Sequence, residues 1–173
     1  MLNQKEFELT SVQIISAPAH QGRARGRGLV GSKVLIVDDD AASVELMKAY
    51  LADSVDEILG LTDSRQVESA FAQFEPDLVL LDLHMPEPDG LELLRRLRGA
   101  RISLGFLPVI ALTADHGHVA RNSALILGAD EFMTKPVDRA EVVLRVRNLL
   151  RTRSLYVELA RANEMLRRGA AGS

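Results

Sequence analysis

The chain contains no cysteine in its 173 residues. Neither a disulfide framework nor a thiolate-ligated metal site is available, and the composition suits a reducing compartment, so a cytoplasmic location is expected. Long apolar runs are also missing. The longest near the N-terminus, VQIISA, is too short for the core of a signal peptide and far too short to span a bilayer, which takes about 20 apolar residues. Residues 1–32 show neither helical nor strand periodicity, and APAHQGRARGRGLVGS gathers Gly, Arg, Ala and Pro with nothing to bury. This composition predicts a disordered N-terminal extension or an added tail.

What is present is enough for one compact domain with some chain to spare, since 47 % of the residues are hydrophobic. The net charge of −3 conceals a division. Residues 33–138 carry nine Lys/Arg against nineteen Asp/Glu, whereas residues 139–168 carry eight Arg against three Glu. An acidic body thus has a basic helix attached. Such a helix is compatible with nucleic acid or an anionic membrane surface, but solvated helix positions account for it more simply. No direct binding to either is predicted.

From Lys33 onward, short apolar runs alternate with amphipathic stretches of helical length. The runs are KVLIVD, VDEILGL, DLVLLD, LPVIALT and DEFMTK, and the helical stretches between them cover 41–51, 64–74, 90–98 and 117–127, with a last one beginning near Asp138. Five strand–helix units in this order predict an α/β fold, with a doubly wound parallel sheet between two helical layers. Polar residues fall at the ends of the runs: Asp38 and Asp39 after the first, Asp82 after the third, Thr113 after the fourth and Lys135 after the fifth. In an open parallel sheet, functional groups gather at the carboxyl ends of the strands, where the winding reverses. With strand order 2-1-3-4-5, the first and third strands are neighbours and Asp38, Asp39 and Asp82 converge. Three carboxylates that close repel one another, which calls for a cation. Asp40 is assigned separately, as an N-cap accepting from Ala42 or Ser43. Alone, Thr113 would pass for an ordinary strand-end threonine and Lys135 for a solvated lysine; the joint occurrence of the aspartates, the threonine and Lys-Pro on one sheet edge is what carries meaning.

On these residues, the chain from Lys33 to about Leu150 resembles the receiver domain of bacterial two-component response regulators. The resemblance implies a flavodoxin-like five-stranded sheet of order 2-1-3-4-5, with Asp82 as the phosphoacceptor. It implies Mg²⁺ bound directly by Asp39, Asp82 and the backbone carbonyl of His84, with Asp38 acting mainly through water. Lys135 would pair with the phosphoryl oxygens and Thr113 would donate to one of them. Phe132, three residues before the lysine, would turn inward on activation, and the small Ala114 would leave the site accessible. The partner implied is a sensor histidine kinase or phosphotransfer protein, and the only enzymatic activity implied is self-phosphorylation from a donor and autodephosphorylation. Family positions that influence phosphoryl lifetime correspond to His84 and Asp115. Lys135-Pro136 is expected to be cis. In MPEPDG, Asp89 suits a helix cap and Gly90 a turn or first helical residue, while Pro88 departs from the commoner methionine-like residue.

The segment 139–168 lacks Gly and Pro, which gives one helix of about 45 Å at 1.5 Å per residue. Val142, Val143, Val146 and Leu150 suit packing on the sheet. Beyond them Leu155, Leu159, Ala162 and Leu166 recur at coiled-coil spacing, predicting a projecting segment over 151–168 that pairs with a second copy, and a flexible end over 169–173. Any output domain is expected outside this chain. Two other classes share features. A haloacid-dehalogenase-like phosphatase would use Asp38 as nucleophile with Asp40 in D-x-D spacing and Ser43 loosely placed, and a flavodoxin-type binder would need a Ser/Thr/Gly-rich loop where acids stand here. A phosphorylation-independent dimeric adaptor is the further alternative. His116 and His118 have no evident third metal ligand.

Overall fold

The computed structural model describes residues 14–16, 31–99, 105–114 and 118–171. Strands β1 (Ile14–Ser16), β2 (Lys33–Val37), β3 (Glu57–Leu61), β4 (Leu78–Asp82), β5 (Val109–Thr113) and β6 (Glu131–Thr134) form one sheet of order β1-β3-β2-β4-β5-β6. The last five are mutually parallel and, counted alone, run 2-1-3-4-5 as expected. Helices α1 (Ala41–Leu51), α2 (Val67–Phe74), α3 (Gly90–Gly99), α4 (His118–Ile126) and α5 (Arg139–Ala171) connect and flank them, and a 3₁₀ turn, Ser64–Gln66, opens the α2 segment.

The strands read as unbroken apolar runs because helices cover both faces. Successive residues feed two cores: Leu35, Val37, Val79 and Leu81 pack with the α2–α4 side, whereas Val34, Ile36, Leu78 and Leu80 pack with Val44, Met47, Val142, Val146 and Leu150 of α1 and α5. The helix starts are chemically specified. Asp40 accepts from the Ala42 N–H at 3.0 Å and the Ser43 hydroxyl at 2.9 Å, Asp89 accepts from the Glu92 N–H, and Asp138 accepts from the N–H groups of Ala140 and Glu141. Each satisfies donors that the first turn leaves unpaired.

Two expectations require correction. The N-terminal extension is not wholly unstructured: Ile14–Ser16 pairs antiparallel with β3, Ile14 opposite Leu59 and Ser16 opposite Glu57. The physical reason is that β3 otherwise ends the sheet with unpaired backbone groups, which accept any extended segment within reach. The remainder of 1–32 up to residue 30 lies outside the described residues. At the other end, α5 continues through Gly169 to Ala171, where flexible chain was expected; a helix can carry one glycine in its last turns at a cost of about 1 kcal/mol. Residues 172–173 lie outside the description.

The 33 residues of α5 make a rod of about 50 Å. Val142, Val146 and Leu150 are buried on the sheet as expected, and Val143 packs partly against the same core. One arginine departs from the solvated role assigned to the basic helix. Arg153 is buried, donates from Nη1 to the Phe106 carbonyl, and brings Nε to 3.6 Å from Asp77 Oδ1. One turn later, the Tyr156 ring lies 5.7 Å from the Phe106 ring. These contacts hold the helix to the segment before β5 at the point where it leaves the body. Replacing Arg153 with Ala strands a buried carbonyl and opens space, and is expected to cost about 1–3 kcal/mol in urea denaturation. Amide exchange over residues 151–160 is expected to accelerate more than exchange in β4.

Candidate functional site

Register brings the polar strand ends together. Val37 lies opposite Leu81 in the β2–β4 pairing, so Asp38, one residue on, stands beside Asp82, the last residue of β4. Backbone bonds extend the ladder beyond the strands, from Asp38 N–H to Leu61 O, Leu83 N–H to Leu112 O and Lys135 N–H to Thr113 O. The first and last fix Asp38, Thr113 and Lys135 directly, and the second fixes the residue that follows Asp82. Lys135 Nζ, delivered after β6, donates to Asp38 Oδ2 at 2.7 Å and to Asp82 Oδ2 at 2.5 Å. The other oxygens are held by backbone: Asp82 Oδ1 accepts from the His84 N–H and Asp38 Oδ1 from the Asp40 N–H, both at 3.0 Å. Asp38, Asp82 and Thr113 are buried and Asp39 is exposed.

Gly90 is the first helical residue of α3 because nothing larger fits. A Cβ there would stand 2.0 Å from the Asp82 carbonyl oxygen and 2.5 Å from Leu83 Cα. Helix α3 therefore starts in direct backbone contact with the strand that carries Asp82. Lys135-Pro136 is cis, as expected, and so is Glu87-Pro88.

Sequence comparison bears on this geometry directly. A family model described as response regulator receiver domain matches residues 34–147. The chain belongs to the response regulator receiver family. It is 38 % identical over 137 residues to the transcriptional regulatory protein TrcR of Mycobacterium tuberculosis, covering 79 % of this chain and 51 % of that protein. It is 36 % identical over 122 residues to the virulence transcriptional regulatory protein PhoP of Salmonella typhimurium, covering 70 % and 53 %. The chain thus spans about half the length of the curated relatives it matches. Among solved structures, the receiver domain of Francisella response regulator 1452 is similar at TM-score 0.63 and 29 % identity, over 69 % of this chain and 97 % of that one. The beryllofluoride-activated receiver domain of Klebsiella pneumoniae RstA is similar at TM-score 0.62 and 31 % identity, over 69 % and 99 %.

The receiver's acidic edge is charged in a way that fits a small dication. Asp38, Asp39 and Asp82 each bring one carboxylate oxygen to within 4.8 Å of the others, a set of hard oxygen donors suited to Mg²⁺. A single lysine faces two of the three acids. Burial pushes the Asp38 carboxyl above its ordinary range, against the opposing effects of Lys135 and the Asp40 N–H. Burial alone would lower Lys135, but its hydrogen bonds to Asp38 and Asp82 outweigh that and raise it. Asp40 is held below its ordinary range by the Ser43 hydroxyl and the Ala42 N–H. With its carboxylate occupied in capping α1, Asp40 is not turned to the acidic edge, and the D-x-D arrangement of a phosphatase is not favoured.

The other expected residues are variously placed. Thr113 Oγ1 lies 3.4 Å from His84 Nδ1, a contact that sequence spacing did not reveal. Phe132 is half-buried against the α2–α4 core, and Ala114 is exposed. Leu155, Leu159 and Leu166 are 58, 61 and 72 % exposed and Ala162 is exposed too. Asp115, His116 and the side chain of His118 lie outside the described residues. Among the described residues, no helix is long and apolar enough to cross a membrane.

Asp38 carries a stability consequence in metal-free protein. With a folded pKa above the unfolded value of 3.8, its contribution is fully present below that value and is lost as pH rises through the raised one. At neutral pH the ionised carboxyl therefore costs stability. Asp38→Asn is expected to raise the metal-free unfolding midpoint by a few degrees, each kcal/mol being about 3 °C for a chain of this size, and to reduce the increase that Mg²⁺ gives. Thermal melts in EDTA and in excess Mg²⁺ test both effects.

Proposed function

We propose that this chain is a phosphorylation-controlled signalling receiver with Asp82 as the phosphoacceptor. The observation that carries the reading is the Lys135 ammonium shared by Asp38 and Asp82 at the carboxyl end of the central strands. It marks a place where negative charge accumulates and a fixed cation meets it. In this reading Asp39, Asp82 and the His84 carbonyl hold Mg²⁺, with Asp38 acting mainly through water. The ion supplies charge neutralisation for transfer between negatively charged groups.

The chain's own residues do the rest. The His84 N–H holds one Asp82 oxygen, leaving the other to attack the phosphorus of a phosphohistidine on a sensor histidine kinase or phosphotransfer protein. The P–N bond breaks, the imidazole departs and an acyl phosphate forms on Asp82. Lys135 exchanges a carboxylate for a phosphoryl oxygen, which its compact charge allows without a particular orientation. The Thr113 hydroxyl donates to another phosphoryl oxygen, Phe132 turns into the space it vacates, and Ala114 leaves the approach open. Hydrolysis of the acyl phosphate resets the domain, so the chemistry is limited to self-phosphorylation and autodephosphorylation. Residues 33–150 form the receiver, and 151–168 carry its state outward.

The outward path runs through pairing of two copies along Leu155, Leu159, Ala162 and Leu166. Burying an exposed leucine contributes about 1.5–3 kcal/mol, which gives a short seam a modest, adjustable affinity. An output domain outside this chain would read the pairing. A cytoplasmic location accords with this role.

Intact mass after incubation with acetyl phosphate and Mg²⁺ is expected to rise by one phosphoryl group, and not to rise with Asp82→Asn. A gain retained in Asp82→Asn would move the nucleophile elsewhere. Light scattering tests the seam: wild type is expected to associate in a concentration-dependent way, and Leu159→Glu combined with Leu166→Glu to remain monomeric at every concentration.

A further inference from the structure

Phosphotransfer makes no use of β1, yet that strand answers a problem set elsewhere in the fold. Strand β3 closes one side of the parallel sheet, and its outer edge presents backbone donors and acceptors. Native sheets blunt such an edge with proline, a bulge or charge, or else cover it. Between Ile58 and Leu61 the strand carries neither charge nor proline. Lys48 of α1 does not guard it either. A Cβ on Gly60 would stand 2.6 Å from Lys48 Cε, but the lysine is buried and its ammonium turns to Glu45 at 2.7 Å. What lies along the edge is Ile14–Ser16, antiparallel, and it covers three of the five residues of β3. Ser16 and Lys33 both stand opposite Glu57, on either side of β3, so they lie about 10 Å apart at the ordinary strand spacing. The 16 residues between them can reach about 55 Å, so the chain covers its own edge without stretching. The tether holds β1 there at an effective concentration of about a millimolar.

We infer that the outer edge of β3 is a self-pairing surface whose partner is a second copy of this chain, and that β1 keeps it closed in the monomer. A two-fold axis relating two paired β3 strands makes them antiparallel, the direction in which the edge already accepts β1. Pairing centred on Leu59 sets Glu57 opposite Leu61, so no like charges face each other across the seam. It also engages all five residues of each strand, two more than β1 covers. The covering strand therefore competes through its tether and not through its length. A tethered pairing of three residues favours the closed edge by about tenfold. Both copies must open before they pair, so the dimer is suppressed by about a hundredfold.

Pairing at β3 is distinct from the α5 seam, so the test uses the full chain carrying Leu159→Glu and Leu166→Glu. Adjacent residues of a strand direct their N–H groups to opposite sides, so Ile14→Pro together with Ile15→Pro removes whichever donor faces β3. In sedimentation equilibrium the parent is expected to stay monomeric and the proline variant to approach twice the monomer mass as concentration rises. Amide exchange over residues 57–61 is expected to be slower in that dimer than in the proline variant's monomer. A proline variant that stays monomeric, or a dimer in which residues 57–61 exchange as fast as in the monomer, overturns the proposal. The absence of cysteine from the chain permits a second check. Ser16→Cys with Glu57→Cys, at positions opposite one another in the register, is expected to oxidise to a disulfide within one chain and to leave it monomeric. A crosslink joining two chains, or no crosslink, overturns the closed edge. Neither test involves phosphorylation or Mg²⁺, so a failure at the β3 edge and a failure of phosphotransfer to Asp82 are distinguishable.

Discussion

One ammonium group between two buried carboxylates organises the functional end of this molecule. Lys135 reaches Asp38 across 97 positions of sequence and Asp82 across 53, and nothing local to either aspartate brings the ammonium to it. At an effective dielectric constant of about 20, unit charges 4 Å apart interact by about 4 kcal/mol, so a register that brings these groups together is favoured over one that leaves them apart. The sheet makes the meeting possible. A strand order in which the first strand lies between the second and third sets Asp38 beside Asp82, and two further parallel crossovers deliver Thr113 and Lys135 to the same edge. Function here is a property of topology before it is a property of any side chain.

The arrangement is also unbalanced. Three acids gather at this edge and one lysine reaches two of them, while burial pushes the Asp38 carboxyl above its ordinary range. Replacing such a constellation with apolar residues would often stabilise a fold. A chain that retains it keeps an edge whose three carboxylates suit a cation.

Much of this was legible in the sequence because the signals were either periodic or local. Strand runs buried on both faces cannot be mistaken once five of them alternate with helical stretches, and the polar residues closing them share an edge by necessity. The caps at Asp40 and Asp89 are read from hydrogen bonds spanning two or three residues, and α1 was expected over the residues it occupies. What escaped has no short-range signature. The pairing of Ile14–Ser16 with β3 depends on an open sheet edge elsewhere in the fold, not on the composition of the segment. Arg153 looks like every other arginine of α5 until the segment before β5 closes over it. Its burial depends on the Phe106 carbonyl and Asp77, neither of which is near it in sequence. The imidazole of His84 meets Thr113 only because β4 and β5 are neighbours, and which of three consecutive aspartates is buried is decided by backbone direction at the end of β2.

The anchoring of α5 at Arg153 and Tyr156 turns the rest of that helix into a pointer. From Tyr156 to Ala171 it extends by about 22 Å at 1.5 Å per residue. A tilt of about 10° at the anchor therefore carries the tip some 4 Å, by the ordinary geometry of a rigid arm. Displacements too small to disturb a close-packed core become, at the far end of the arm, comparable to the spacing between neighbouring side chains. In the proposed receiver, a change confined to one edge of the sheet would thus be read out as a change of place rather than of shape.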